Sequence, residues 1–176
     1  MARTRASAAE ILAKWKPTTG LPSFAFRIDY VGPKTRLEVS YQLWHQGKDL
    51  GSAESHETLD LPVSDDAAFG FLDGKNGQQV SVIVAHEVIT PQSDRPSRSS
   101  PGVMTQQFDL PALRDRAIRT HEPSWPLEIP DGKDGVVWAV FVDEPADVPA
   151  GATPEERAKR ADTALIFRIR TADAKK

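Results

Sequence analysis

The feature that most constrains the fold is a period-two alternation of apolar and polar residues in three segments. These segments are 24–30, 37–43 and 165–169. An alternation of this kind places every second side chain on one face of a β-strand, so each segment is predicted to form a half-buried strand. In the last segment one face is predicted to carry Leu165, Phe167 and Ile169, and the other Ala164, Ile166, Arg168 and Arg170.

Two continuous apolar runs, 80–84 and 136–142, are rich in β-branched residues and are bounded by turn residues. Runs of this length and composition are typical of central strands that are covered on both faces. Residues 104–110 and 50–56 have weaker strand patterns. Between 45 and 49, Gly47 indicates a hairpin turn.

Helix signals are short and lie at the start of the chain or in connections. Residues 7–16 form a predicted amphipathic helix that ends at Pro17. Thr153 is a candidate N-cap, with Pro154 at the first helical position and a glutamate at the third. The arginine-rich segment 112–120 is a candidate for a second connecting helix.

These patterns predict a mainly β fold. We expect an antiparallel β-sandwich of the immunoglobulin-like or Greek-key type, with a short N-terminal helix and one or two short helices in connections. The 176 residues are enough for one domain with its own core. Residues 1–19 are therefore predicted to be a helical extension, and residues 20–176 a single sandwich domain.

Composition excludes several classes of function. The chain has no cysteine, which removes disulfides, thiolate metal ligands and a cysteine nucleophile. Its formal net charge of -3 argues against binding to nucleic acid. We expect a soluble chain with no signal peptide and no transmembrane segment, because no apolar run approaches the length of a membrane span.

Recognisable catalytic and metal-binding motifs are also lacking. The sequence has no nucleophile elbow, phosphate-binding loop or dinucleotide fingerprint, and its four histidines do not pair at metal-ligand spacing. Carboxylates near predicted loops suggest a calcium site, although a lysine lies in the middle of each candidate turn. These carboxylates are Asp65, Asp66, Asp73, Asp131, Asp134, Asp143, Glu144 and Asp147. The sequence predicts no cofactor, no metal and no enzyme.

Trp44 is predicted to lie on the polar face of its strand, where a large aromatic side chain needs cover. The N-terminal helix could provide that cover through Ile11, Leu12 and Trp15, a protein partner is the second explanation, and a sugar is the third. Trp125, which lies close to two prolines, has the same alternatives.

The predicted function is that of a non-catalytic accessory or structural subunit that docks on a protein partner in a larger assembly. Residues 1–16 and 166–176 each carry a formal charge of +3, so the partner could belong to a membrane-associated complex. The alternative is a carbohydrate- or calcium-dependent ligand-binding sandwich module. The candidate partner-binding residues are Trp44, Arg95, Arg98, Arg114, Arg116, Arg119 and Trp125.

Overall fold

The computed structural model describes residues 21–30, 32–34, 36–58, 63–73, 80–90, 97–98, 102–108, 116–124 and 126–173. The chain divides into two compact units. Unit 1 takes its described residues from the ranges 1–33 and 59–114, and unit 2 from 34–58 and 115–176. The predicted N-terminal helix lies outside the described residues.

Unit 1 contains a five-stranded antiparallel sheet in which β5 pairs with β4, β6 and β7, and β4 also pairs with β1. The strands are β1 (Phe24–Tyr30), β4 (Val63–Asp73), β5 (Val80–Thr90), β6 (Ser97–Arg98) and β7 (Gly102–Phe108). Its described core is aromatic. The Phe26 ring lies 5.7 Å from that of Phe24 and 5.5 Å from that of Phe69 across the β1–β4 pair, and Phe71 is also buried.

Unit 2 contains a second five-stranded antiparallel sheet, in the order β3-β2-β10-β9-β8. Its strands are β2 (Arg36–His45), β3 (Lys48–Thr58), β8 (Ile118–His121), β9 (Gly135–Val142) and β10 (Thr163–Ala172). The central strand β10 pairs with β2 on one side and with β9 on the other. We refer to this sheet as sheet 2.

The period-two prediction is confirmed where it was strongest. The alternating segments 24–30, 37–43 and 165–169 all lie in strands, and both continuous apolar runs lie in strands with neighbours on two sides. In β9 every residue from 137 to 142 is buried, as predicted for a strand covered on both faces. Strand β4 was not predicted, and it contains Asp65 and Asp66, which were expected near a loop.

One short helix, α1 (Pro154–Ala158), joins β9 to β10. Its predicted start is confirmed. The Thr153 hydroxyl accepts a hydrogen bond from the Glu156 amide, and the Glu156 carboxylate accepts one from the Thr153 amide. The prediction of a helix over 112–120 is wrong, because residues 118–120 pair with β9 as part of β8.

The two faces of sheet 2 differ in chemistry. One is a continuous buried apolar surface, to which β2 contributes Val39, Tyr41 and Leu43. The opposite face, which we name the helix face, is covered at one end by α1 and the residues after it. Its buried cluster contains Trp44, Ala139, Phe141, Ala158, Ala161, Ala164 and Ile166. Farther along β10, this face changes from Ala164 and Ile166 to Arg168 and Arg170, as the sequence predicts.

The hairpin between β2 and β3 depends on Gly47. Gln46 and Gly47 both have positive φ, 49° and 73°, which is the backbone pattern of a tight type I′ turn. A Cβ atom on Gly47 would lie 2.9 Å from the backbone oxygen of Lys159. The turn therefore needs both the conformational freedom and the small size of glycine.

We expect Gly47→Ala to destabilise the protein more than Gly132→Ala. Gly132 has nearly the same φ, 70°, but a Cβ atom there would meet nothing within 4 Å. Both substitutions should cost about 1–2 kcal/mol of left-handed strain, and Gly47→Ala should add the cost of the backbone contact. Urea denaturation of the two variants measures the difference. Equal losses would show that the Lys159 contact is unimportant.

Candidate functional site: a polar groove on sheet 2

A groove of about 330 Å³ lies on the helix face of sheet 2, beyond the end covered by α1. Three adjacent strands contribute side chains to it, and Asp134 comes from the turn before β9. The lining residues are Glu38, Ser40, Gln42, Ser52, Asp134, Arg168 and Arg170. Pairing of β2 with β3 and β10 brings them together, with Gln42 opposite Ser52 and Ser40 opposite Arg168.

Glu38 is the most deeply buried charged group of the groove, with 4% of its side chain exposed. Its carboxylate forms ion pairs with Arg36 on the same strand and with Arg170 across the β2–β10 pair. Arg170 Nε donates to the carboxylate at 2.5 Å and lies 3.7 Å from Asp134 at the rim. A buried carboxylate needs such partners, because desolvation otherwise opposes its charge.

Arg168 lies at the border between the part of the helix face covered by α1 and the groove. One of its terminal nitrogens donates to Gln42 Oε1 at 2.8 Å, and the other is ion-paired with Glu155 in α1. The Gln42 amide nitrogen in turn donates to Asp49 at 2.6 Å. The side chains of Glu38, Gln42, Arg168 and Arg170 are thus held by neighbouring groups before any ligand arrives.

This arrangement can bind a ligand by hydrogen bonds, since its lining contains both donors and acceptors. Its lining residues include no histidine, lysine or aromatic side chain. Ser40 and Ser52 are its hydroxyl groups, and neither has a recorded hydrogen bond to a base in the described part of the chain.

A second charged cluster lies where β8, β9 and α1 meet. Glu144 is buried and accepts two hydrogen bonds from Arg157, at 2.6 and 2.7 Å. The Arg157 guanidinium also lies 4.0 Å from the centre of the Phe141 ring, in cation–π geometry. Arg119 is 3.7 Å from the same carboxylate, and half of its side chain is exposed.

His121 lies at the end of β8, and its environment lowers the pKa of its imidazole. Partial burial lowers its pKa, and the positive charge of Arg157 lowers it further, although Glu155 opposes the shift. Arg119 carries the exposed positive charge of β8.

Arg116 connects two acidic residues at the end of sheet 2. It donates to Asp143 and to Asp162, both at 2.7 Å. These hydrogen bonds raise the pKa of Arg116, and they hold the pKa of Asp162 below its usual value although burial alone would raise it. Asp143, at a positive φ of 50°, also accepts from the Ala117 amide. Arg116 thereby fixes the start of β8.

Of the predicted partner-binding residues, Trp44, Arg116 and Arg119 have described side chains, and all three belong to unit 2. Trp44 is 8% exposed and packs in the helix-face cluster with Ala158 and Ala161, so α1 and the residues after it contribute to its cover. Its indole nitrogen is buried and has no hydrogen-bond partner among the described residues. Arg116 is engaged in ion pairs, and Arg119 is exposed on β8.

The remaining predicted residues cannot be placed as side chains. Arg98 lies in β6, where it pairs with Ile89. Arg95, Arg114 and Trp125 lie outside the described residues. Their proposed role in partner binding stays a prediction.

Carboxylates considered for calcium are engaged with other groups where their side chains are described. Asp143, Glu144 and Asp147 each pair with an arginine, and Asp131 accepts from the Thr171 hydroxyl. No group of three histidine, aspartate or glutamate side chains that could hold a metal ion occurs in the described residues. Likewise, none of the described helices is long and apolar enough to cross a membrane.

Sequence reasoning missed the groove. Its residues read as an ordinary polar face, because Glu38, Ser40 and Gln42 alternate with core positions. The available signal was the appearance of Arg168 and Arg170 on the corresponding face of β10. The sequence does not give the register between β2 and β10, so it does not show that the polar residues of β2 and the two arginines of β10 lie side by side.

Comparisons of the chain with protein-family models, with curated proteins and with solved structures find no match.

Proposed function

We propose that the protein is a non-catalytic accessory subunit that docks on a protein partner, and that β8 of unit 2 is part of the docking surface. The observation that carries the proposal is the exposed guanidinium of Arg119 on an edge strand. The partner chemistry that fits is an extended segment with a carboxylate side chain.

Strand β8 ends the strand order of sheet 2, and no described strand pairs with its outer side. An edge strand presents backbone donors and acceptors that a strand of another protein can satisfy. Arg116 fixes the start of β8 through Asp143 and Asp162, so the edge is ordered before binding. An ordered edge lowers the entropic cost of docking.

Arg119 supplies charge to this edge. Glu144 already accepts two hydrogen bonds from Arg157, and Arg119 lies farther away at 3.7 Å. Because half of its side chain is exposed, Arg119 can pair with a carboxylate of the partner while Glu144 keeps Arg157. Guanidinium groups are common anchors of protein interfaces.

We also propose that the chain has the β-sandwich fold that the sequence predicts. Its support is that each sheet buries a row of aromatic side chains, with Phe24, Phe26 and Phe69 in unit 1 and Tyr41, Trp138 and Phe167 in unit 2. Buried aromatic rows of this kind are typical of the sheets of β-sandwiches.

The test compares Arg119→Gln with Arg160→Gln. Arg160 is also a partly exposed arginine of unit 2, paired with Asp147 at 2.8 Å, and does not lie on β8. A partner captured by the wild-type protein from native extract should bind Arg119→Gln about tenfold more weakly and Arg160→Gln unchanged, as measured by biolayer interferometry. In the complex, the amides of Ile118–His121 should be protected from hydrogen exchange.

Equal affinities of the two variants would contradict docking at β8. A monodisperse monomer that retains no protein from the extract would contradict the accessory role itself.

A further inference from the structure

The groove on the helix face has balanced charge. Glu38 and Asp134 contribute two negative charges to its lining, and Arg168 and Arg170 contribute two positive charges. The formal sum is zero, so the groove offers no net attraction to a phosphate, a nucleic acid or a cation. Its occupant is selected by hydrogen bonds.

The shape of the groove follows from two small residues. Ser40 and Ser52 lie among longer side chains on β2, β3 and β10, and they leave the space that the neighbouring residues enclose. The volume of about 330 Å³ is at the lower end of the range for small-molecule sites, ~300–1,000 Å³. A short ligand fits such a space.

The lining is also preorganised. Arg36 and Arg170 hold the Glu38 carboxylate, and Gln42 and Glu155 hold the Arg168 guanidinium. Fixed donors and acceptors reduce the entropy lost when a ligand is ordered against them. They also disfavour binding of any ligand that would have to break one of these ion pairs.

We propose that the groove binds a neutral saccharide one or two sugar units long. Every sugar hydroxyl both donates and accepts a hydrogen bond, so a run of hydroxyls matches a lining that contains guanidinium, carboxylate, amide and hydroxyl groups. A neutral ligand leaves the charge balance of the groove intact. This site is separate from the docking surface at β8, and neither proposal depends on the other.

The test titrates the full-length protein with neutral disaccharides, namely maltose, cellobiose, lactose, mannobiose and N,N′-diacetylchitobiose. Binding is followed by chemical-shift changes in the ¹H–¹⁵N spectrum, up to tens of millimolar sugar. At least one disaccharide should bind and shift the amides of Ser40, Ser52 and Asp134. A sulfated disaccharide serves as the anionic comparison and should bind more weakly than the neutral one.

Ser52→Arg and Ser124→Arg provide a matched pair of variants. Both serines are exposed, but only Ser52 lines the groove. The Ser52→Arg side chain fills the space and should weaken sugar binding at least tenfold, whereas Ser124→Arg should leave it unchanged. Thermal melting of both variants checks that each remains folded.

The proposal is overturned if none of the disaccharides binds, if Ser52→Arg binds as the wild type does, or if the sulfated sugar binds more tightly than every neutral one. Titration with a tetrasaccharide of the preferred sugar distinguishes recognition of a glycan chain from recognition of a free sugar. Tighter binding of a tetrasaccharide than of the disaccharide supports recognition of a glycan chain, and equal binding supports recognition of a free sugar.

Discussion

Replacing Arg157 by alanine is expected to lower the free energy of unfolding by about 3–5 kcal/mol, because it removes one member of a buried ion pair. Only 1% of the Glu144 side chain and 16% of the Arg157 side chain are exposed. In the variant, the nearest described cationic group to the Glu144 carboxylate is Arg119, at 3.7 Å. The substitution also removes the cation–π contact with Phe141.

Arg160→Ala is the matched control. Arg160 lies just after α1 in the sequence, and its partner Asp147 is largely exposed. Ion pairs of this kind contribute little to the free energy of unfolding. We expect its effect to stay within about 0.5 kcal/mol. A double variant, Glu144→Leu with Arg157→Met, should recover most of the loss, since the uncompensated charge is gone. Urea denaturation followed by circular dichroism measures all three, and an Arg157→Ala loss no larger than that of Arg160→Ala would refute the argument.

Trp138→Ala is expected to have an effect of similar size, about 3–5 kcal/mol, for a different reason. Trp138 is 1% exposed, and its ring lies 5.0 Å from the Phe167 ring on the buried apolar face of sheet 2. Removing the indole leaves a cavity among side chains that belong to two paired strands, β9 and β10. Strand pairing limits how far the backbone can move to fill that space.

Leu50→Ala provides the comparison for Trp138→Ala. Leu50 is the exposed large hydrophobic residue on β3, with 59% of its surface accessible, so its truncation removes little buried area. We expect a change within about 0.5 kcal/mol. The midpoints of urea unfolding should therefore separate the two variants clearly. A Trp138→Ala loss below about 1 kcal/mol would mean that the ring is less tightly packed than the structure indicates.

The elements that could be predicted from the sequence are those whose own residues indicate their burial or their ends. Strand β9 is apolar on both faces, and its residues from 137 to 142 are all buried. The start of α1 was equally readable, because Thr153 and Glu156 satisfy each other's backbone amides without help from the rest of the chain. Local chemistry specifies these elements, so local reasoning finds them.

Other elements depend on pairing that the local sequence does not show. Strand β4 contains Asp65 and Asp66, which disfavour strands, yet these residues pair with β1 on one side and β5 on the other. Residues 118–120 were predicted to belong to a helix over 112–120 because that segment is rich in arginine, but they extend sheet 2 beside β9. Ile118 and Thr120 are β-branched and fit a strand, whereas in β4 the tertiary environment overrides local propensity.

The groove was unpredictable for a related reason. Arg168 and Gln42 are hydrogen-bonded although 126 positions separate them in the sequence. A register shift between Phe167 and Arg168 in the β9–β10 pair further sets which residues share a face. Sequence patterns indicate that a side chain lies on a polar face, but they do not indicate which polar residues of distant strands will meet there.

The central position of β10 has a consequence for the order of folding. The hairpin of β2 and β3 does not pair with β9 directly, because β10 lies between them. During synthesis, the hairpin must therefore wait until residues 163–172 emerge, and until then β2 and β9 each have an open edge. Such distant pairing slows folding and exposes strand edges to other chains. The β2–β3 hairpin has a register shift between Leu43 and Trp44, and the Asp49 carboxylate accepts a hydrogen bond from the Gly51 amide. This irregularity disrupts regular strand pairing while the edge of the hairpin is open.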